Sequence, residues 1–436
     1  MMKKNRTIYF LLALVCLGLQ SCLFQEEDYF DDSSANRATA DVKRCSELLE
    51  AAPNGWVMEY YVGKDYSLGG ITLLCKFDGQ RVTMASQIAG ADETVSSLYS
   101  VKSEQATMLS FDTYNYLVHY FGQPQGSMAD DPNGTLGGDY EFVISDATAD
   151  RIELKGKKYG NRIVMKAFSA DQTWKQYLTR IKKVEDDAFF YEYDLRMDGL
   201  YTGQMLRSNY TFIVTYYDEV GKVYQKTVPF MFTTDGMRFH EPVTIDGQTM
   251  QNFVWKNEEI SFVCTDEGAT GVKMKGIYID GYQSYDYYPG TYLMDFYRLN
   301  GATNQLEVAS QEIQLVKNED GKSYWLKGLE YDILVTYDKP RGGLSILPQF
   351  LKKVQGGYVY LAMWDLMNDY VLRSSAIGLI SYPTTDGIYL VDNGVWIGEI
   401  SGFIFGVYDS QDEEASFMGY TDAVAAIRLI KKTIEE

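Results

Sequence analysis

WVMEYYV, Trp56 to Val62, is followed by GITLLCKF, Gly70 to Phe77, and RVTMAS, Arg81 to Ser86. β-Branched and aromatic residues fill each run, and Gly and Asp punctuate the gaps between them. Such residues suit a pleated, half-buried surface, and the gaps are too short for a crossover helix. The texture returns in YEFVIS (Tyr140–Ser145), RIELK (Arg151–Lys155) and NRIVMK (Asn161–Lys166). Beyond these come YTFIVTYYD (Tyr210–Asp218), KVYQKTVPFMF (Lys222–Phe232) and GVKMKGIYI (Gly271–Ile279). Turns this frequent argue against βαβ units and for antiparallel sheets. The expected fold is mostly β: two or three antiparallel β-sandwich or barrel-like domains with a few peripheral helices.

Three stretches break the pattern. Val42, Cys45, Leu48, Leu49 and Ala52 recur at helical spacing before Pro53-Asn54-Gly55 ends the run. Trp174, Tyr177, Leu178 and Ile181 share one face of a helix expected over 170–182. Ile427, Ile430 and Ile434 align in a terminal helix expected over 421–436. A chain of 436 residues exceeds one ordinary core. Its expected parts are a signal peptide (1–21), an acidic flexible tether (22–40), and an N-terminal β domain with a leading helix (41–168). A middle β region (169–275) and a C-terminal β domain with a terminal helix (276–436) complete the order. GWVMEYY (Gly55–Tyr61) is echoed by YLMDFY (Tyr292–Tyr297), and LKGKKY (Leu154–Tyr159) by LKGLEY (Leu326–Tyr331). The two echoes are unequally spaced, so either two related domains differ by an insertion or similar hairpins share a composition.

At the N-terminus, Lys3, Lys4 and Arg6 precede an apolar run from Ile8 to Leu19, the length of a signal-peptide core. Leu19-Gln20-Ser21-Cys22 then resembles a bacterial lipobox, in which cleavage precedes the cysteine and a diacylglycerol joins its thiol. Each buried acyl methylene contributes about 0.8 kcal/mol, so two or three chains hold a protein on a membrane. Gln25-Glu26-Glu27-Asp28 and the polar residues after them have too little apolar surface to order themselves. An acidic cluster at this place resembles the signal that sends Bacteroidota lipoproteins to the outer leaflet of the outer membrane. The expected location is therefore the outer membrane, lipid-anchored and facing the cell exterior.

The net charge of −20 disfavours nucleic acid and anionic surfaces, which need dense Lys and Arg patches. Of five cysteines, Cys16 leaves with the signal and Cys22 carries lipid. Cys45, Cys75 and Cys264 remain, widely spaced and odd in number, so no disulfide framework or zinc knuckle is expected.

Four motifs in order resemble a known family: Pro53-Asn54-Gly55-Trp56 with VMEYY, LSFDTYNYLVHYFGQP (Leu109–Pro124), GGDYEFVI (Gly137–Ile144) and RIELKGKKYGN (Arg151–Asn161). They are similar to Bacteroidota lipoproteins grouped as domain of unknown function 4302, over roughly 41–263. The resemblance implies an exported, surface-type lipoprotein, often encoded near nutrient-uptake systems, with no catalytic residues to carry over.

Catalytic patterns are weak throughout. His240-Glu241 begins like a zincin helix, but Pro242 breaks the helix and no second histidine follows. His119, among Tyr116, Tyr120 and Phe121, reads as a packing histidine. Asp130, Asp131, Asn133 and Asp139 hint at calcium, yet Pro132 and the missing twelfth-position glutamate break that template. Neither a nucleophile elbow nor a phosphate loop occurs, and sixty acidic residues make some carboxylate pair inevitable. No cofactor, metal or enzymatic activity is expected.

The remaining lead is GIYIDGYQSYDYYPGTYLMDFY, which crowds Tyr278, Tyr282, Tyr285, Tyr287, Tyr288, Tyr292 and Tyr297 into one segment. Tyrosine rings stack on sugar faces and their hydroxyls bond polar rims, although tyrosine is also an ordinary strand residue. Turn formers interleave Tyr282, Tyr285, Tyr287 and Tyr288, which makes these four the candidate ligand platform. Tyr292 and Tyr297 are expected in the strand after Pro289, with at least one of them buried. The expected function is a non-catalytic binding or accessory protein for capture of a glycan or peptide, working beside an outer-membrane uptake partner. The alternative is a structural or adhesive surface protein that binds another protein.

Overall fold

A computed structural model of the chain describes residues 33–124, 134–217, 220–412 and 414–432. The expected signal peptide, Cys22 and the first part of the tether lie outside them. Helix α1 (Ser34–Ala51) starts inside the span expected to be tether, with Ser33 accepting a hydrogen bond from the Asn36 N–H. The Ser33 cap satisfies one orphan donor of the first turn. Cys45, Leu49 and Ala52 are buried, and the Trp56 indole donates to the Leu49 carbonyl at 2.9 Å.

The first sheet is a meander. Its strands are β1 (Trp56–Val62), β2 (Gly69–Asp78), β3 (Arg81–Ser86), β4 (Val95–Ser103), β5 (Thr107–Phe111), β6 (Glu141–Ala147), β7 (Arg151–Gly156) and β8 (Arg162–Ala167). Each pairs with its sequence neighbour, and β8 returns to β1 with Ala167 opposite Trp56, closing a barrel. Trp56, Met58 and Tyr60 alternate inward, as a two-residue period requires. Between β5 and β6 lies the short helix α2 (Tyr116–His119), capped by Asn115.

Helix α3 (Trp174–Asp187) follows. Although expected within the middle region, it packs Leu178 with Leu74, Ala85 and Phe168, and Lys182 donates to the carbonyls of Gln87 and Ala89. It therefore covers the first barrel. The second sheet is a closed barrel of β9 (Glu192–Met197), β10 (Leu200–Ser208), β11 (Thr211–Tyr217), β12 (Val223–Phe232), β13 (Gly236–Ile245), β14 (Gln248–Lys256), β15 (Ser261–Cys264) and β16 (Val272–Ile277).

The third sheet has twelve strands: β17 (Gly290–Asn300), β18 (Gln305–Lys317), β19 (Ser323–Lys327), β20 (Ile333–Asp338), β21 (Gly343–Ile346), β22 (Gln349–Val354), β23 (Gly357–Asp365), β24 (Tyr370–Leu372), β25 (Leu379–Thr384), β26 (Gly387–Asp392), β27 (Gly402–Tyr408) and β28 (Phe417–Lys431). The order β17-β18-β19-β20-β21-β25-β26-β28 closes through β28 onto β17, a third eight-stranded barrel. From β28 the sheet continues outward through β27, β23 and β22, with β24 on β23.

The expected terminal helix is instead strand β28 up to Lys431. Val424, Ile427 and Leu429 join the barrel core, whereas Ala423 and Ala425 pack with Trp364 and Ile404 on the other side, the alternation shifting at a bulge around Ala426 where β28 pairs with both β17 and β27. Tertiary pairing overrides the helix propensity of an alanine-rich run. The echo in the sequence falls on the opening strands of the first and third barrels, where Tyr292, Met294 and Phe296 repeat the buried alternation of Trp56, Met58 and Tyr60. The LKG echo falls on β7 in one and β19 in the other, which are not equivalent places.

By contacts the chain forms two compact units. One runs to Val184 and takes in Asn209–Thr211 and Val228–Pro242; the other comprises Glu185–Ser208, Phe212–Thr227 and the chain from Val243 onward. Among the described residues no helix is long and apolar enough to cross a membrane.

Candidate functional site

The tyrosine segment divides sharply. Tyr288 is buried, with its hydroxyl donating to the Gly342 carbonyl at 2.8 Å. Tyr285 stacks on Tyr324 at 4.7 Å and donates to the Ser323 carbonyl at 2.8 Å. The Tyr324 hydroxyl donates to the Tyr285 carbonyl, Tyr337 to the Gln283 carbonyl, and Tyr292 to the Tyr288 carbonyl. Burial pushes the hydroxyls of Tyr292, Tyr324 and Tyr337 well above the usual tyrosine range, which keeps them neutral donors. These rings converge where β17 begins, β18 ends, β19 begins and β20 ends, so the segment closes that end of the third barrel. The four-ring platform is thus not assembled: Tyr288 belongs to the core, and Tyr285, partly buried, packs against it. Tyr292 is buried and Tyr297 exposed, both in β17.

Two of the four remain at the surface. Tyr287 is 39% exposed, edge-on to Tyr288, with the Lys431 ammonium 4.9 Å from its ring centroid. Tyr282 is half-buried, its hydroxyl 3.1 Å from that of Tyr337, and lies 4.4 Å from Tyr278 and 6.0 Å from Phe189. Tyr278, 46% exposed and packed on Tyr282, lines an open cleft of about 590 Å³ on the outside of the second barrel. Arg196, Glu258, Glu259, Ser261, Lys273 and Lys275 line the cleft beside it.

Register explains the lining. β9, β16 and β15 lie side by side, with Arg196 opposite Lys273 and Asp194 and Ser261 flanking Lys275. Tyr193, Leu195, Val272 and Met274 fill the barrel, so the alternate residues Asp194, Arg196, Lys273 and Lys275 face out. The turn Asn257–Glu259, pinned by the Trp255 indole on the Asn257 side chain, brings Glu259 to 2.5 Å from the Lys273 ammonium. Arg196 pairs with Asp194 at 2.8 Å. Tyr278 is held edge-on against Phe190 at 5.0 Å. Gly276 makes that contact feasible, since a Cβ there would lie 2.4 Å from the Phe190 ring.

The other candidates are structural. His119 stacks on Tyr140 at 4.7 Å, and His240, in β13, lies between Tyr61 and Tyr66 at 4.3 and 4.0 Å. Asp130, Asp131 and Asn133 lie outside the described residues, while the Asp139 carboxylate is buried and accepts from the Lys158 and Tyr159 N–H groups. Cys45, Cys75 and Cys264 are free and buried; burial pushes the Cys264 thiol up to about 11. Among the described residues no group of three or more His, Cys, Asp and Glu side chains is placed to hold a metal ion.

Of the rings at this cleft, the sequence marks Tyr282 as a platform candidate and Tyr278 only as part of the crowded segment, and it does not show their setting. The signal was present in EYDLRM and GVKMKG, where charged residues two apart predict one outward face. Nothing in the sequence ties that face to Glu258 or Phe190.

A family model described as a domain of unknown function, DUF4302, matches residues 26–257, more than half of the chain, and the chain belongs to that family. A second domain of unknown function, DUF4987, matches residues 265–391. None of the curated proteins compared matches. A solved structure of a protein of unknown function from the DUF3598 family of Nostoc punctiforme is 7% identical, covering 57% of this chain and 99% of its own, with a TM-score of 0.15. So low a score supports no inference about fold or function.

Proposed function

We propose that the chain is a lipid-anchored protein of the outer membrane, facing the cell exterior, that captures a glycan or peptide nutrient without transforming it. The lipobox ending at Cys22 supports the anchor, and the acidic residues from Gln25 to Asp28 support the surface location. The observation that carries the binding role is the open cleft walled by Tyr278, a half-exposed ring braced by Phe190 and Tyr282 over a polar floor. A preordered aromatic beside convergent polar groups loses little freedom when a ligand arrives.

The test is the mature chain with Cys22→Ser, screened on immobilised glycans and peptides. Retention of one class by the wild-type cleft, abolished by Tyr278→Ala at unchanged melting temperature, is the expected result. Retention indifferent to Tyr278→Ala would contradict it. For the location, alanine at Gln25, Glu26, Glu27 and Asp28 should reduce protease shaving from intact cells at constant total protein.

A second reading, an adhesive surface protein that binds another protein, draws on one further feature. Ile397 is 97% exposed, and Val395 and Met367 are 55% and 82% exposed. The Asp365 carboxylate, itself fully buried, ties the two loops that carry them by accepting from the Trp396 indole and the Asn368 side chain. Such fixed apolar tips suit insertion into a protein pocket.

A further inference from the structure

We infer that the cleft beside Tyr278 takes an uncharged saccharide chain, one sugar ring stacked on Tyr278 and its hydroxyls held between Lys275 and Glu258. This rests on the binding role proposed above and narrows its ligand class.

Charge is the first argument. The cations Arg196 and Lys273 are already paired, with Asp194 at 2.8 Å and Glu259 at 2.5 Å. Lys275 and Glu258 remain, opposite in sign, and neither makes an ion pair among the described residues. A charged ligand would meet one of them favourably and the other unfavourably. A sugar hydroxyl both donates and accepts, so it can give its proton to the Glu258 carboxylate and take one from the Lys275 ammonium.

Backbone pairing is the second. Peptides commonly bind by adding a strand to a free sheet edge. β9 pairs with β10 and β16, and β15 with β14 and β16, so the cleft floor offers no unpaired edge. Recognition there must come from side chains and a ring face, which is how sugars are held.

Shape is the third. The cleft is open to solvent, and its volume of about 590 Å³ falls within the usual range for small-ligand sites. An open floor suits internal units of a chain, because both ends can continue into solvent.

The experiment is calorimetric titration of the mature Cys22→Ser chain with neutral hexasaccharides (maltohexaose, cellohexaose, xylohexaose, mannohexaose) and with hexagalacturonate. At least one neutral sugar should bind, with Tyr278→Ala weakening it by roughly tenfold or more and Tyr278→Phe restoring it. Glu258→Gln and Lys275→Met should each weaken it, and raising salt from about 50 to 500 mM should leave it unchanged. Binding of hexagalacturonate alone, falling with salt, would overturn the inference. Peptides retained in a Tyr278-dependent way with no neutral sugar bound would also overturn it, while leaving the binding role intact. If no ligand of any class depends on Tyr278, both fail.

Discussion

Glu59 shows how single charges act in this molecule. Its carboxylate is 13% exposed, 2.7 Å from the Lys166 ammonium and in contact with the Arg238 guanidinium. Burial alone would raise its pKa, but Arg238 and Lys166 outweigh that and hold it below the usual range. A depressed carboxylate contributes stability above its unfolded value, about 4.3, and loses it as pH falls through the folded value. Glu59→Gln leaves Arg238 short of its partner and should cost about 3 kcal/mol in urea unfolding at neutral pH. The gap to wild type should narrow below about pH 4, and equal stability at neutral pH would refute the account. His240 has the opposite origin, since burial lowers its pKa by favouring the neutral ring. Its contribution is present above the unfolded value and lost as pH falls below about 6.5. For the tyrosines, Tyr288→Ala should cost about 3–5 kcal/mol, because it empties a core position. Tyr288→Phe, which keeps the ring and removes only the bond to Gly342, should cost about 1 kcal/mol by the same unfolding measurement.

Among the elements, β28 departs furthest from what its own sequence suggests. Isoleucines three and four apart fit a helix, and nothing local betrays that β17 and β27 claim the segment from either side. The bulge at Ala426 also breaks the two-residue alternation, putting Ala423 and Ala425 on one face and Ile427 and Leu429 on the other, so no clean strand period stands in the sequence. At Ala426 the strand has φ of 50°, a left-handed conformation that glycine adopts without strain. Ala426→Gly should therefore stabilise the third barrel by roughly 1 kcal/mol, read as a higher melting temperature. A lower one would mean the methyl group contributes packing that outweighs the strain. Helix α1, by contrast, was legible from Val42 onward because its spacing and its Pro53 stop agree. Its earlier turns were hidden by the acidic tether, with only the Ser33 cap to mark the start.

At the scale of the whole molecule, antiparallel β structure could be read because hairpins are local. Closure could not, since it depends on pairs such as Trp56 with Ala167, more than a hundred residues apart. The cleft is hidden for the same reason: Arg196, Glu258 and Lys275 meet only after the second barrel forms. Tyrosine crowding singles out this stretch, but composition cannot separate Tyr288 in the core from Tyr278 at the surface. On the function proposed above, an anchored chain captures sugar on the cell surface through that cleft. The direct measurement is retention of a fluorescent neutral oligosaccharide by intact cells expressing the wild type, Cys22→Ser or Tyr278→Ala at equal protein levels. Retention by the wild type alone is the predicted result, and equal retention by all three would contradict the account.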